Sequence, residues 1–343
     1  MKNQTRTFAP LRHALAFAPG ILLSAAVAAA ALALQEAEVR IFGRAWIEAL
    51  VIAILAGTLV RTVWIPGENV RRGIGFSAST VLEIAVALLG LSIGAGTVLA
   101  LGGKLLLAIA AIVPVAILLG YRIGRMFGLS RELAMLVACG NAICGNSAIV
   151  AVAPAIRARP GDVAAAIAFT AVLGVASVLV LPLLAVWLAM TPQSFGIFAG
   201  LTVYAVPQVL AATAPVSSLS AQIGTLVKLV RVLMLGPVVL ALALHARRTG
   251  PVAARPALGQ LVPWFILAFL GLAAARSAGL VPAAVLAPAA GAATWLAILA
   301  MAALGLSTDL RAVAQAGARV AGAAAMSLLA LGGAALLLAR WIG

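Results

Sequence analysis

Apolar residues run on in long blocks along this chain, and short charged links cut the blocks into eleven segments: 14–34, 46–60, 77–100, 104–121, 132–156, 162–189, 195–214, 221–244, 258–275, 283–305 and 313–340. About 20 consecutive apolar residues suffice for a helix to cross a bilayer. The pattern predicts an all-α polytopic membrane protein. No link is long or polar enough to mark a second folded unit, so residues 1–343 read as a single transmembrane transporter domain.

Two segments break their own pattern. Segment 5 carries Cys139-Gly140-Asn141-Ala142-Ile143-Cys144-Gly145-Asn146-Ser147 between the apolar runs 133–137 and 149–156. Segment 7 carries Tyr204-Ala205-Val206-Pro207-Gln208, with Thr213 further on. Backbone polar groups in hydrocarbon must be satisfied by protein, so such breaks survive only where they are buried or line a cavity. Transporters place substrate sites at broken helices. A helix-packing face of small residues and asparagine is the plainer alternative for segment 5.

Charge sets the orientation. Lys2, Arg6 and Arg12 put the N-terminus in the cytoplasm, because cytoplasmic loops carry the excess of Lys and Arg. Arg61, Arg71 and Arg72, then Arg122, Arg125 and Arg131, fall inside as well. Arg157 and Arg159 return inside only if segment 5 is a re-entrant hairpin, and a second hairpin at segment 7 keeps Arg247, Arg248 and Arg255 inside. The first apolar run also resembles a secretory leader with a cleavage site at Ala31-Leu32-Ala33, but a retained first helix is expected here. Gly90-Leu91-Ser92, Gly102 and Lys104 recur as Gly305-Leu306-Ser307, Gly317 and Arg319, a constant offset of 215 (90 to 305, 102 to 317, 104 to 319). In this topology the copies run in opposite senses, as in the inverted repeats of secondary transporters.

Composition agrees with this reading and excludes others. The chain is 65% hydrophobic and 9% charged, with a mean hydropathy of +1.20. Its net charge of +15 is spread over short loops with no basic-aromatic stripe, which argues against a nucleic-acid partner. The two cysteines, Cys139 and Cys144, have no His at metal spacing and read as small buried side chains. No P-loop, Ser/His/Asp set or H-E-x-x-H motif is present, so neither an enzyme, a cofactor nor a resident metal is expected.

Lys228 and Arg231, three apart in segment 8, share one helix face. A charge inside the membrane is costly and usually faces a cavity, a partner or a ligand, unless it snorkels to the interface. Paired cations opposite polar tips suit a small anionic substrate. Glu83 reads as an interfacial residue or a proton site, and Asp309 as a local cap or ion-pair partner.

Cys139 to Pro154, CGNAICGNSAIVAVAP, resembles the ICG-x-SAI-x-AVAP signature of the YeiH-type family of proposed sulfate exporters. Residues 227–233 and 303–311 resemble further blocks of that family, in the same order. The resemblance covers most of the chain and implies a multi-pass transporter of the bacterial inner membrane, for sulfate or a related anion. The chain departs from the family at Asn141 and Asn146, where small residues are usual, and at Tyr204-Ala205, where many members carry His-Glu. Losing His-Glu bears on any protonation step there.

Together these readings predict alternating-access transport of sulfate, sulfite or an organosulfonate-like anion. One side of the site would hold Gly140, Asn141, Gly145, Asn146 and Ser147, the other Tyr204, Gln208 and Thr213, with Lys228 and Arg231 supplying charge. The alternatives are a sodium- or proton-coupled carrier of an organic solute and a non-transporting membrane scaffold or sensor. The expected partners are the anion, the lipid bilayer, a proton or sodium as coupling ion, and a second copy of the chain in a homodimer.

Overall fold

The computed structural model describes residues 9–43, 47–92, 102–249, 263–311 and 317–342, and all their regular elements are helical. Helices α1 (Ala9–Phe42), α2 (Ala49–Val63), α3 (Glu68–Ser92, with a π turn at Ser77–Val81) and α4 (Gly102–Met126) come first. The broken segments follow: α5 (Arg131–Ala142) with α6 (Asn146–Ile156), then, after α7 (Pro160–Trp187), α8 (Pro192–Thr202) with α9 (Val206–Thr213). The chain continues with α10 (Ser218–Leu233), α11 (Leu235–Thr249), α12 (Trp264–Ser277), α13 (Ala283–Ser307) and α14 (Ala318–Ile342).

Local sequence sets several of these boundaries. Ser130, Thr191 and Ser217 each accept a hydrogen bond from the N–H three residues on, capping α5, α8 and α10. Pro237, near the start of α11, lacks the N–H that would continue α10, and the helix breaks at Met234.

Among the described residues, seven helical stretches are long and apolar enough to cross a membrane: Phe17–Phe42, α3, α4, α7, Ser218–His245, α13 and α14. The eleven apolar segments are therefore not eleven spans of full length. A 15-residue helix such as α2 rises only about 22 Å, and α12 and the arms of both broken segments are shorter still. Segment 3 also begins earlier than its apolar run, at Glu68, because the charged turns Glu68–Phe76 are amphipathic and escape an apolar count. Large apolar side chains such as Leu107, Leu118, Leu183 and Leu337 stay exposed around the outside, as a lipid-facing surface requires. Exposed Trp64, Trp187, Trp264 and Trp341 stand at helix ends, where an interfacial aromatic belt sits.

The offset of 215 extends to whole elements. Ala49 and Trp264 open α2 and α12, and Ser92 and Ser307 close α3 and α13. Contacts repeat with it. Gly90 is pressed against the carbonyl of Phe269, and Gly305 against the carbonyl of Ile54, 215 residues away in each case (90 to 305, 54 to 269). Each half thus lends a short helix to the long helix of the other, an exchange expected of a twofold axis. Gly120 of α4 lies beside Ser327 of α14, and Phe127 beside Gly322, so these corresponding helices run antiparallel.

One buried cluster joins α4 to α8, α10 and α14, and a second joins α1, α2, α3 and α13. Val178 of α7 and Ala211 of α9 reach into the second cluster and connect the two. At the end of α2 the Arg61 guanidinium meets Asp309 at 2.6 Å, and Arg311 donates to the Thr62 carbonyl at 2.7 Å. The Arg61–Asp309 pair is partly buried, so Asp309→Asn is expected to cost about 1 kcal/mol. In a thermal melt of the purified protein this is a fall of a few degrees, and an unchanged melt would show that the pair contributes nothing.

The starts of neighbouring helices meet beside both broken segments. Asp162, at the beginning of α7, lines one shallow cleft with Ser130 and Leu133, which precede and open α5. Ser220 Oγ donates to the Pro192 carbonyl at 2.7 Å, holding the starts of α8 and α10 side by side. The tips of the two segments meet in the interior.

Candidate functional site

The first tip is built by Gly145. Its backbone, at φ 67° and ψ −124°, lies where L side chains rarely go. A Cβ there would also stand 3.2 Å from the Tyr204 side chain. Its N–H donates to the Gly140 carbonyl at 2.9 Å and closes the last turn of α5. Gly140 lets α5 approach Ile149 of α6 and Thr170 of α7 closely. In the second tip, Val203 and Ala205 are extended, and Pro207 sits in the first turn of α9, where its missing N–H is harmless.

A broken helix leaves carbonyls without partners on one side of the break and N–H groups without partners on the other. The carbonyls are taken by the two cations of α10. Lys228 Nζ donates to Ile143 O at 2.6 Å and to Val203 O at 2.7 Å. Arg231 Nε donates to Ala142 O at 2.6 Å, and its terminal nitrogens reach Asn141 O, Leu201 O, Gly200 O and Val203 O. Both side chains are fully buried. The negative ends of the α5 and α8 dipoles therefore face two positive charges, the favourable sense. Neither cation forms an ion pair among the described residues.

The N-terminal ends of α6 and α9 converge where Gly145, which precedes α6, packs on Tyr204. Around them stand short polar groups. Asn146 is half-buried, and its Oδ1 accepts from Thr170 Oγ1 of α7 at 2.7 Å. Ser147 is exposed. Gln208 Oε1 accepts from the Ala205 N–H at 3.1 Å, and its amide rests on Gly174, one turn beyond Thr170 on α7.

The predicted site residues thus divide by position. Asn146 and Ser147 open α6, and Gln208 stands buried in the first turn of α9, with Gly145 packed on Tyr204 between the two helix starts. Asn141 and Tyr204 are buried and bonded to each other: Tyr204 OH donates to Asn141 Oδ1 at 2.8 Å, and Asn141 Nδ2 donates to Ala324 O of α14 at 2.9 Å. They brace the tips and offer no open face. Thr213 is not brought to the tips. It closes α9, donates to Val209 O at 2.6 Å and packs near Gly224, because it is the last of the eight residues of the helix that leads away from the break. Lys228 and Arg231 are next to the tips but spent on carbonyls.

Sequence reasoning missed Thr170 and Gly174. With Ser177 they form a small-residue stripe at i, i+4 and i+7 on an otherwise apolar helix, and that periodicity was the available signal.

Comparisons with other proteins agree on the family. The profile of a family described as "Conserved hypothetical protein 698" matches residues 19–324. A UPF0324 membrane protein of Brucella suis biovar 1 is 57% identical, over 91% of this chain and 93% of its own length. A UPF0324 membrane protein of Agrobacterium fabrum is 53% identical, over 92% and 90%. One from Bacillus cereus is 32% identical, over 88% of both chains. These names say that the relatives are membrane proteins and name no substrate, so the resemblance to sulfate exporters gains no support from them.

Proposed function

The chain belongs to the family described as conserved hypothetical protein 698, the UPF0324 membrane proteins, and we propose that this member carries a small anion across the bilayer by alternating access. The binding site is the convergence of the α6 and α9 N-terminal ends, with Asn146, Ser147 and Gln208 as ligands. Both broken segments act as re-entrant hairpins in a bacterial inner membrane, with the N-terminus cytoplasmic, in keeping with the Lys and Arg distribution.

One observation supports this reading: two buried cations close the carbonyl ends of the crossing, with no carboxylate partner among the described residues, while the start of α6 packs at Gly145 on Tyr204 just before α9. Two uncompensated positive charges in a poorly polarisable interior raise the potential at those N–H ends. Helix N-terminal N–H groups bind anions by dipole and by hydrogen bond together. An oxyanion of the sulfate, sulfite or sulfonate class presents several acceptors to such donors and to the Asn146, Ser147 and Gln208 side chains. The charge of Lys228 and Arg231 thus acts through space and requires no contact with the substrate.

The test is ligand-dependent melting of detergent-purified protein against sulfate, sulfite and a small alkanesulfonate, repeated with Asn146→Ala. A ligand at 100 times its Kd stabilises the folded state by about 2.7 kcal/mol, a rise of several degrees. One oxyanion is expected to raise the melting temperature of the wild type, and Asn146→Ala is expected to lose most of that rise. No shift with any anion, together with no anion flux in liposomes, would overturn the proposal. A shift with a neutral or cationic organic solute alone would favour an ion-coupled carrier instead.

A further inference from the structure

Lys228 is an ammonium that donates to two peptide carbonyls, Ile143 O at 2.6 Å and Val203 O at 2.7 Å, in full burial. Among the described residues no cluster of His, Cys, Asp and Glu exists that would hold a divalent or transition metal. The oxygens come from two unwound segments that meet from opposite arms, and neither segment supplies a carboxylate. Carbonyl oxygens of unwound membrane helices are the ligands that strip and hold sodium or potassium. An ammonium has the same charge as those ions and a comparable demand for converging oxygens.

We propose that the carbonyl ends of α5 and α8 form a monovalent-cation site and that Lys228 fills it with a tethered ammonium. The site takes sodium-, potassium- or ammonium-like cations, and the wild-type chain has no room for a free one. Arg231 closes the carbonyls of Asn141, Ala142, Gly200 and Leu201 and shares Val203 O with Lys228 from a longer distance, 3.3 Å against 2.7 Å, while Lys228 is the donor to Ile143 O. A tether makes occupancy independent of ion concentration, because the cation is held at high effective concentration by the helix that carries it. The crossing then stays closed at every stage of a transport cycle, and sodium does not drive it. The statement about driving ions rests on the transport reading above; the cation site does not.

The experiment needs no anion and no transport. Wild type and Lys228→Ala are melted in detergent at equal ionic strength in the chlorides of choline, sodium, potassium, ammonium and methylammonium. Wild type is expected to melt at one temperature in choline, sodium and potassium. Lys228→Ala is expected to melt lower in choline, by on the order of 10 °C, and to regain at least half of that loss in ammonium or methylammonium, whose N–H groups donate to the carbonyls that Lys228 vacates. A folded Lys228→Ala that melts alike in all five salts overturns the proposal, as does a sodium-specific rise in the wild type. Should Lys228→Ala yield no folded protein, Lys228→Arg takes its place beside the wild type: both keep a tethered cation and are expected to be indifferent to sodium, and a sodium-specific rise in either overturns the site. Failure of the anion proposal would leave these outcomes untouched, since chloride is the anion throughout and its concentration is constant.

Discussion

Arg231→Met is expected to lower the melting temperature by at least about 10 °C, or to leave no folded protein to purify. The guanidinium is fully buried and donates to Asn141 O, Ala142 O, Gly200 O and Leu201 O. Each buried carbonyl left without a donor costs about 1–3 kcal/mol. Relaxation and the retained Lys228 offset part of this, so a net loss of about 3–5 kcal/mol is expected, the range found when one side of a buried charged interaction is removed. Arg231→Lys keeps the charge but offers three donors on one atom in place of a planar fork of five. It should fall between wild type and Arg231→Met. The check is a thermal melt with size-exclusion profiles of all three proteins. An Arg231→Met protein melting within a few degrees of wild type would mean that the carbonyl ends do not depend on this residue.

Gly145→Ala is expected to fold, to melt several degrees lower and to lose the anion-dependent rise in melting temperature. The backbone at φ 67° and ψ −124° admits a Cβ only under strain of about 1–3 kcal/mol. The same Cβ would press on Tyr204 at 3.2 Å, tighter than ordinary contact. Both effects push the start of α6 away from Tyr204 and so away from the start of α9. A site made of two converging helix ends tolerates little such movement, because its hydrogen-bond geometry is set by their separation. A Gly145→Ala protein with an intact anion response would separate the candidate site from this convergence.

Much of the fold was legible because hydrocarbon imposes a simple rule on sequence. Long apolar runs marked the helices, and the polar insertions at Gly140–Ser147 and Tyr204–Gln208 marked both breaks to within a few residues. The offset of 215, seen first in a handful of residues, also matches helix ends in α2 and α12 and in α3 and α13, and the paired contacts Gly90–Phe269 and Gly305–Ile54. Helix ends outside hydrocarbon were less legible. Glu68–Phe76 carries two arginines and a glutamate, so its helix shows only in amphipathic spacing.

The site was legible in kind and not in detail. An intramembrane Lys228 and Arg231 demanded partners, but a sequence does not say whether those partners are a ligand or the chain's own carbonyls. Peptide carbonyls have no letter in the sequence, and only the path of the backbone reveals which are orphaned. Thr213 was misplaced for a related reason: it lies near the break in residue number, yet eight helical residues carry it to the far end of α9. Thr170 and Gly174 went unread because α7 reaches both tips only through tertiary packing.

The exchanged contacts Gly90–Phe269 and Gly305–Ile54 have a consequence for populations. A scaffold whose halves pack on each other through equivalent positions has, for any conformation, a counterpart with the roles of the halves swapped and nearly the same packing energy. The balance between two such states is then biased wherever the halves differ in a polar contact. Asp309 makes one such contact: it holds Arg61, whereas the position 215 residues earlier is Gly94, and Arg276, the counterpart of Arg61, donates to the Leu91 carbonyl instead. An ion pair worth about 1 kcal/mol on one side alone tilts a balanced pair of states by roughly fivefold. Under the transport reading, this carboxylate is one contribution to which face of the membrane the empty protein prefers.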